Sequence, residues 1–353
     1  MVCEAPGCLR YSVDICGVTF LDRHALCSAG PVWPVRRCRE GAHVRFTHAA
    51  LTVGLAVTTS LSLAGTAGAE GTVGAGRITA TDYSAGSPAT VALDPATGSV
   101  TTTFAQAAED GVLAAKGPRV AYIQRRDTCI PQTEGCMYAR DLVIADADGS
   151  DRRVLAEGVQ PEDATAPYVG HPDWSPSGKR IVYDSPRGLE WIATDGTGAE
   201  VLTSGSRGTF SPDGRSIAFL KATSYDTPDG VEYGSDVYTL DLATREVRAV
   251  TTDHQAWSTA ADRSPDGQRV VHSAGHGLRI TDVATAAATE PQWPSPLSSI
   301  QNPVFSPDGS RIAFTAVDDS AGTSGAYVVD AADGGNLRVL TDRPVTLTDW
   351  LAN

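Results

Sequence analysis

Residues 305–315 read FSPDGSRIAFT, and most of that phrase occurs twice before, as WSPSGKRIVYD from Trp174 and FSPDGRSIAFL from Phe210. A fourth version, RSPDGQRVVHS, starts at Arg263. In each copy Pro presets φ for the first central position of a turn, Asp or Ser can bond its own backbone, and Gly accepts a positive φ. The residues that follow (RIVY, SIAF, RVVH, RIAF) are rich in β-branched and aromatic types. The phrase therefore predicts a tight turn running into a strand. Its serine is not read as a nucleophile, because the four copies carry no partner base.

A second phrase follows each turn: DLVIADADGSDRRVL, LEWIATDGTGAEVLT, DVYTLDLATREVRAV, LRITDVATAA and AYVVDAADGGNLRVLT. Each is an alternating strand, an Asp-rich turn and a short strand. The DADG of Asp146–Gly149 opens like a calcium loop, but Arg152, Arg153 and Leu155 fill the stretch before Glu157, so plain Asx turns are expected.

The unit is thus four short strands. Its anchors Trp174, Phe210, Arg263, Phe305 and Trp350 lie 36, 53, 42 and 45 residues apart. Upstream, KGPRVAYIQ from Lys116 aligns Tyr122 with Tyr183, and RITATDY from Arg77 opens a unit that lacks its first strand. The chain ends in TLTDWLAN, which aligns with the HPDW before the first full motif and then stops. The strand missing at the start is therefore supplied at the end, which is how a β-propeller closes its ring. The reading is an all-β, six-bladed β-propeller over residues 72–353, with the strand near Thr346–Trp350 pairing with the strand near Arg77–Thr81.

The repeat, an aromatic followed by Ser-Pro-Asp-Gly, Ile-Ala-Phe, a strand ending in Asp-x-Asp-Gly, and Leu-Thr, resembles that of the TolB-like propellers, WD-like repeat proteins of bacterial envelopes. The resemblance covers nearly all of the chain after residue 72. It implies a six-bladed fold and an envelope or secreted setting. The same repeat builds the propellers of prolyl oligopeptidase relatives and oligogalacturonate lyases. TolB's N-terminal α/β domain has no counterpart between residue 70 and the first blade.

Residues 44–69, VRFTHAALTVGLAVTTSLSLAGTAGA, combine the basic Arg45, an apolar run from Ala49 to Leu63, and the small-residue site Ala67-Gly68-Ala69. This is the pattern of a secretory signal peptide cleaved after Ala69. Residues 1–43 precede it, and Val44 stands where an initiator would, so these residues are read as a misassigned upstream or disordered segment. No transmembrane span is expected after cleavage. Five of the seven cysteines fall in the first 43 residues without metal-ligand spacing. Cys129 and Cys136, the two beyond, are expected to form a disulfide in an oxidising compartment.

A net charge of −14 and a pI near 4.9 exclude nucleic acid and anionic lipid as default partners. The Ser-Pro-Asp-Gly and Asp-rich turns should share one face of the ring, and the variable connections the other, where recognition is expected. That variable face gathers Tyr168, Tyr225, Tyr233, Trp257 and Trp293 with Asp226, Asp229, Glu232, Asp318 and Asp319; Glu162 and Asp163 lie in the same loops. Aromatics beside carboxylates suit a peptide, a glycan or a cation. The function expected is a monomeric binding scaffold for a protein or extracellular polymer, with no cofactor and no metal. The alternative is a propeller lyase or hydrolase with a metal near the axis. GxSxG and HExxH motifs are absent from the sequence, and His272 falls on an aromatic core position. His171 and His254 are expected near the axis, where they could meet.

Overall fold

The computed structural model describes residues 76–352, apart from 133–134, 159–168, 228–229, 255, 276 and 294–296. The segments read as upstream region and signal peptide lie outside the described residues.

Six four-stranded antiparallel sheets follow one another. Blade 2 is β4 (Ala108–Leu113), β5 (Arg119–Gln132), β6 (Gly135–Asp146) and β7 (Arg153–Ala156). Blade 3 is β8 (Gly170–Trp174), β9 (Arg180–Ser185), β10 (Gly188–Ala193) and β11 (Glu200–Thr203). Blade 4 is β12 (Ser206–Phe210), β13 (Ser216–Thr227), β14 (Gly230–Asp241) and β15 (Val247–Ala249). Blade 5 is β16 (Ala256–Arg263), β17 (Arg269–Ala274), β18 (Gly277–Asp282) and β19 (Ala288–Thr289). Blade 6 is β20 (Leu297–Phe305), β21 (Arg311–Asp318), β22 (Thr323–Asp330) and β23 (Arg338–Thr341). Blade 1 joins the two ends of the chain: β24 (Val345–Leu351) pairs with β1 (Arg77–Asp82), followed by β2 (Ala89–Leu93) and β3 (Val100–Gln106). The closing register sets Ile78 against Trp350 and Thr81 against Thr346, as the sequence predicts.

The repeated phrase does three jobs at each turn. Its Gly has a positive φ: 68° at Gly178, 69° at Gly214, 72° at Gly267 and 70° at Gly309. In the three copies that carry Asp, it bonds forward, Asp308 Oδ1 accepting from the Ser310 N–H at 3.0 Å. Its Ser is buried, and the oxygen accepts the N–H that opens the next strand: Ser306 Oγ takes the Arg311 N–H at 2.9 Å and Ser211 Oγ the Ser216 N–H at 3.0 Å. The serine thus closes the turn, which accounts for its recurrence without any chemistry. The C–D turn of each of five blades then donates to the A–B turn of the same blade, as in Leu242 N–H to Arg215 O and Ala331 N–H to Ser310 O, so both sets of turns share one face.

The second strand of every blade is buried on both sides. Ile78, Val120, Ile181, Ile217, Val270 and Ile312 occupy the same position and are fully buried, and the aromatic position two residues on holds Tyr122, Tyr183, Phe219, His272 and Phe314. Blades stack face to face, so these strands show no inside–outside alternation. Each such side chain contributes about 1.5–3 kcal/mol by leaving water. The outermost strands β15 and β19 are exposed throughout.

Four of the variable connections are built partly from strand. In blades 2 and 4 the second and third strands run on as hairpin arms, β5 to Gln132 and β6 from Gly135, β13 to Thr227 and β14 from Gly230, with pairing in blade 4 from Lys221↔Asp236 to Thr227↔Gly230. In blade 4, Thr223, Tyr225 and Thr227 alternate along one arm and Val231 and Tyr233 along the other, which lets these arms continue the sheet beyond the body of the blade. Residues 256–262 and 297–303, which lead into the repeated turns of blades 5 and 6, belong to the innermost strands β16 and β20.

Candidate functional site

The innermost strands bring their edges to the axis, where backbone N–H groups have no further strand to pair with. The residue just before each anchor faces inward there, and the six blades in order present Asp349, Val112, Asp173, Thr209, Asp262 and Val304. Carboxylates thus occupy blades 1, 3 and 5. Asp173 Oδ2 accepts the Phe210 N–H at 2.7 Å and Asp262 Oδ2 the Phe305 N–H at 2.7 Å, so each ties its blade to the next. Asp349 Oδ1 accepts the N–H of its own neighbour, Trp350, at 2.7 Å.

Towards the variable face, the axis opens into a cavity of about 100 Å³. Its rim is built from residues two places further back on the inner strands. Asp110, His171, Arg207 and Asn302 all hold left-handed backbones there, with φ of 51°, 45°, 56° and 51°. Such strain in non-glycine residues persists where surrounding bonds enforce it. The bonds are visible: the Asp110 N–H donates to Thr81 Oγ1 at 2.9 Å, the His171 N–H to Asp110 Oδ2 at 3.3 Å, and the Arg207 N–H to Asp184 Oδ1 at 2.6 Å. Asp184 is buried and also meets His171 Nδ1 at 2.8 Å, so one carboxylate sets both the ring of blade 3 and the entry of blade 4. The opposite mouth, about 300 Å³, is walled by Pro176, Pro212, Pro265 and Pro307 of the repeated turns, with the same three aspartates between the two mouths.

All three side chains are half-buried, and the protein packed around the channel raises the carboxyl of Asp173 to about 7, helped by the charge of Asp349. The same desolvation raises Asp349 to about 6, and holds Asp262 above the ordinary range with Asp349 and Asp173 adding to the effect. His272 is buried on the core position expected for it, and that burial lowers its pKa.

Among the residues expected on the variable face, Tyr233 stands out on the projecting hairpin, 74% exposed, with Val231 at 57% on the same strand. Tyr225 and Glu232 lie opposite each other on that hairpin and share a hydrogen bond of 3.1 Å. The Tyr225 ring stacks on His254 at 4.3 Å between centroids. Trp293 packs on Phe314 at 5.2 Å and serves the core of blade 6. Asp318 caps its own turn by accepting the Ser320 and Ala321 N–H groups, and Asp319 accepts Ser298 Oγ at 2.6 Å. Tyr168 and Asp229 lie outside the described residues, as do the side chains of Trp257 and Asp226.

His171 and His254 are each held by a carboxylate of their own blade rather than by one another: His254 Nδ1 lies 2.7 Å from the buried Asp236. Among the described residues no three His, Cys, Asp or Glu side chains gather to hold a metal ion. The three axial aspartates, Asp184 and Asp236 escaped the sequence reading. The available signal was an Asp directly before the anchor in HPDW, AADR and LTDW.

No family profile and no curated protein matches the chain. Among solved structures it is similar to a TolB candidate from Agrobacterium tumefaciens, at 16% identity over 75% of this chain and 89% of that one, with a TM-score of 0.51. TolB from Acinetobacter baumannii matches at 24% identity over 64% of this chain, with a TM-score of 0.49; the match spans about half (53%) of that protein. An oligogalacturonate lyase in complex with manganese matches at 14% identity over 76% of this chain and 74% of that one, with a TM-score of 0.45. The fold is that of a TolB-like six-bladed β-propeller.

Proposed function

We propose that this chain is an extracytoplasmic binding propeller that holds a protein or an extracellular polymer on its variable face. The observation that carries the reading is the projecting hairpin of blade 4, whose Tyr233 and Val231 stand in solvent beside the axial cavity's face of the ring. Exposed aromatic and aliphatic side chains on a rigid arm are the kind of anchor that buries on association. The formal charge of −14 favours a partner with basic or neutral contact groups. The remaining variable-face set, Tyr168, Tyr225, Trp257, Asp226, Asp229 and Glu232, would supply the surrounding contacts.

The test is capture from envelope and secreted fractions by the chain from residue 70 onward, read by mass spectrometry against a Tyr233→Ala, Val231→Ser double variant. A partner held by the first and lost by the second, with unchanged melting, supports the reading. Equal capture by both sinks it. The secreted setting also favours a Cys129–Cys136 bond. The backbone register sets Cys129 against Tyr138 and Cys136 against Pro131, a diagonal placement, so the bond requires the hairpin tip to shift. Thiol titration of the unfolded, unreduced chain would find no free thiol at these two positions if it forms, and two if it does not.

A further inference from the structure

The hairpin of blade 4 leaves one strand edge open. β14 runs from Gly230 to Asp241, and β15 pairs only with Tyr238, Thr239 and Leu240 of it. On the other side β13 follows β14 along its whole length without a register shift. The bonds further along show which backbone groups point to the open side. The Val250 and Thr251 N–H groups donate to Val237 O, and Thr251 Oγ1 accepts the Val237 N–H. Asp241 likewise donates to Glu246 O and accepts the Arg245 N–H. Backbone groups alternate between the two edges of a strand. Val231, Tyr233 and Ser235 therefore turn their N–H and C=O groups to the open side, while Glu232 and Gly234 pair with β13. Among the described residues, no strand pairs with that side of β14 between Gly230 and Val237.

Side chains alternate as well. Val231 and Tyr233 stand in solvent on one face of the arm, and Glu232, bonded to Tyr225, lies exposed on the other. Sheets ordinarily blunt such an edge with a bulge, a proline or a lysine. The blade 2 hairpin has a register shift between Arg125 and Cys129 and a proline at 131. The blade 4 arms have neither in their paired positions, and residues 222–244 carry five acidic residues and no Lys or Arg.

We propose that the open edge of β14 at Val231–Ser235 takes up an extended segment of a partner protein as an added β-strand, in which apolar residues alternate with basic ones. The proposal rests on the binding reading and gives that partner its form. Main-chain bonds to Val231, Tyr233 and Ser235 hold the strand in line with β15. Directly opposed residues share a face, so its apolar side chains lie beside Val231 and Tyr233 and its basic ones beside Glu232. A second copy of this chain is disfavoured as occupant, because its own acidic arm would meet this one and like charges across a pair repel.

The probe is a short synthetic peptide of alternating valine and lysine. Amide exchange followed by NMR on the parent chain should show Val231, Tyr233 and Ser235 slowed by the peptide, with Glu232 and Gly234 unchanged. An added strand turns the N–H groups of only one alternate set of its residues to the edge, the valines if it runs antiparallel and the lysines if parallel. Methylating the backbone nitrogens of that set should weaken binding about tenfold or more, and methylating the other set should not. Equal effects from the two methylated peptides overturn strand addition. If both still bind the parent and neither binds the Tyr233→Ala, Val231→Ser variant, the arm holds its partner through side chains alone, and the binding reading survives where this one fails. No binding of the valine–lysine peptide, or equal binding of a valine–glutamate peptide, also overturns it. Protection of the same amides without peptide, rising with protein concentration, assigns the edge to a second copy and overturns it too.

Discussion

The two faces of the ring are built on opposite plans. On the turn face, each repeated loop is locked to the one before it. A Cβ on Gly214 would lie 3.6 Å from Pro176, one on Gly267 3.3 Å from Pro212, and one on Gly309 3.4 Å from Pro265. The proline of one blade thus packs against the glycine of the next. On the variable face the same strands end in connections of unrelated length, from the tight turn between β9 and β10 to the hairpins of blades 2 and 4. Those hairpins are held by private arrangements. In blade 4, Asp236 accepts from Thr251 Oγ1, the His254 N–H and Thr223 Oγ1, and binds the His254 ring. Repetition makes one face a scaffold; freedom from repetition leaves the other available for recognition.

The contrast breaks most directly at closure. Removing residues 344–353 strips β24 and exposes two sheet edges, so thermal melting followed by circular dichroism should show loss of the cooperative transition. An unchanged melt would mean that the ring does not depend on its last strand. Next in size is Asp236→Ala. It strands buried donors at the root of the blade 4 hairpin and should cost about 3 kcal/mol or more, read by urea unfolding. Partner capture should fall with it, since the hairpin loses its support.

Gly309→Ala should cost on the order of 1 kcal/mol or more, because φ is 70° and the Pro265 contact is tight. Capture should remain intact. Loss of capture without loss of stability would show that recognition sits on the turn face after all. The smallest effect is the acid limb of the pH profile. Hydrogen bonds from Ser211, Ser264 and Ser306 hold Asp213, Asp266 and Asp308 below the ordinary carboxylate value. Their contribution is present above the unfolded value and is lost as pH falls through the folded one. A triple Asp→Asn variant should lose part of the decline in stability below about pH 4.

What the sequence by itself determined is local and periodic. Ser-Pro-Asp-Gly specifies its turn through φ at Pro and Gly and through bonds from Ser and Asp, all within six residues. The buried strand after it is read from four β-branched or aromatic positions. The match of TLTDW to HPDW even revealed the closure, because a missing strand at one end and a spare strand at the other leave one economical arrangement. The hairpin arms were missed because their Thr, Tyr and Gly residues suit a loop as well as an extended strand. Pairing across twelve registers, which only the folded blade supplies, decided between them. The site was hidden for a similar reason. Asp173, Asp262 and Asp349 are each ordinary residues before an anchor, and nothing local says that they face one another. They meet because six sheets close into a circle, which places equivalent positions of distant repeats around one axis. Their raised carboxyl values, the strained rim of Asp110, His171, Arg207 and Asn302, and the cavity they line follow from that closure and from the crowding it imposes.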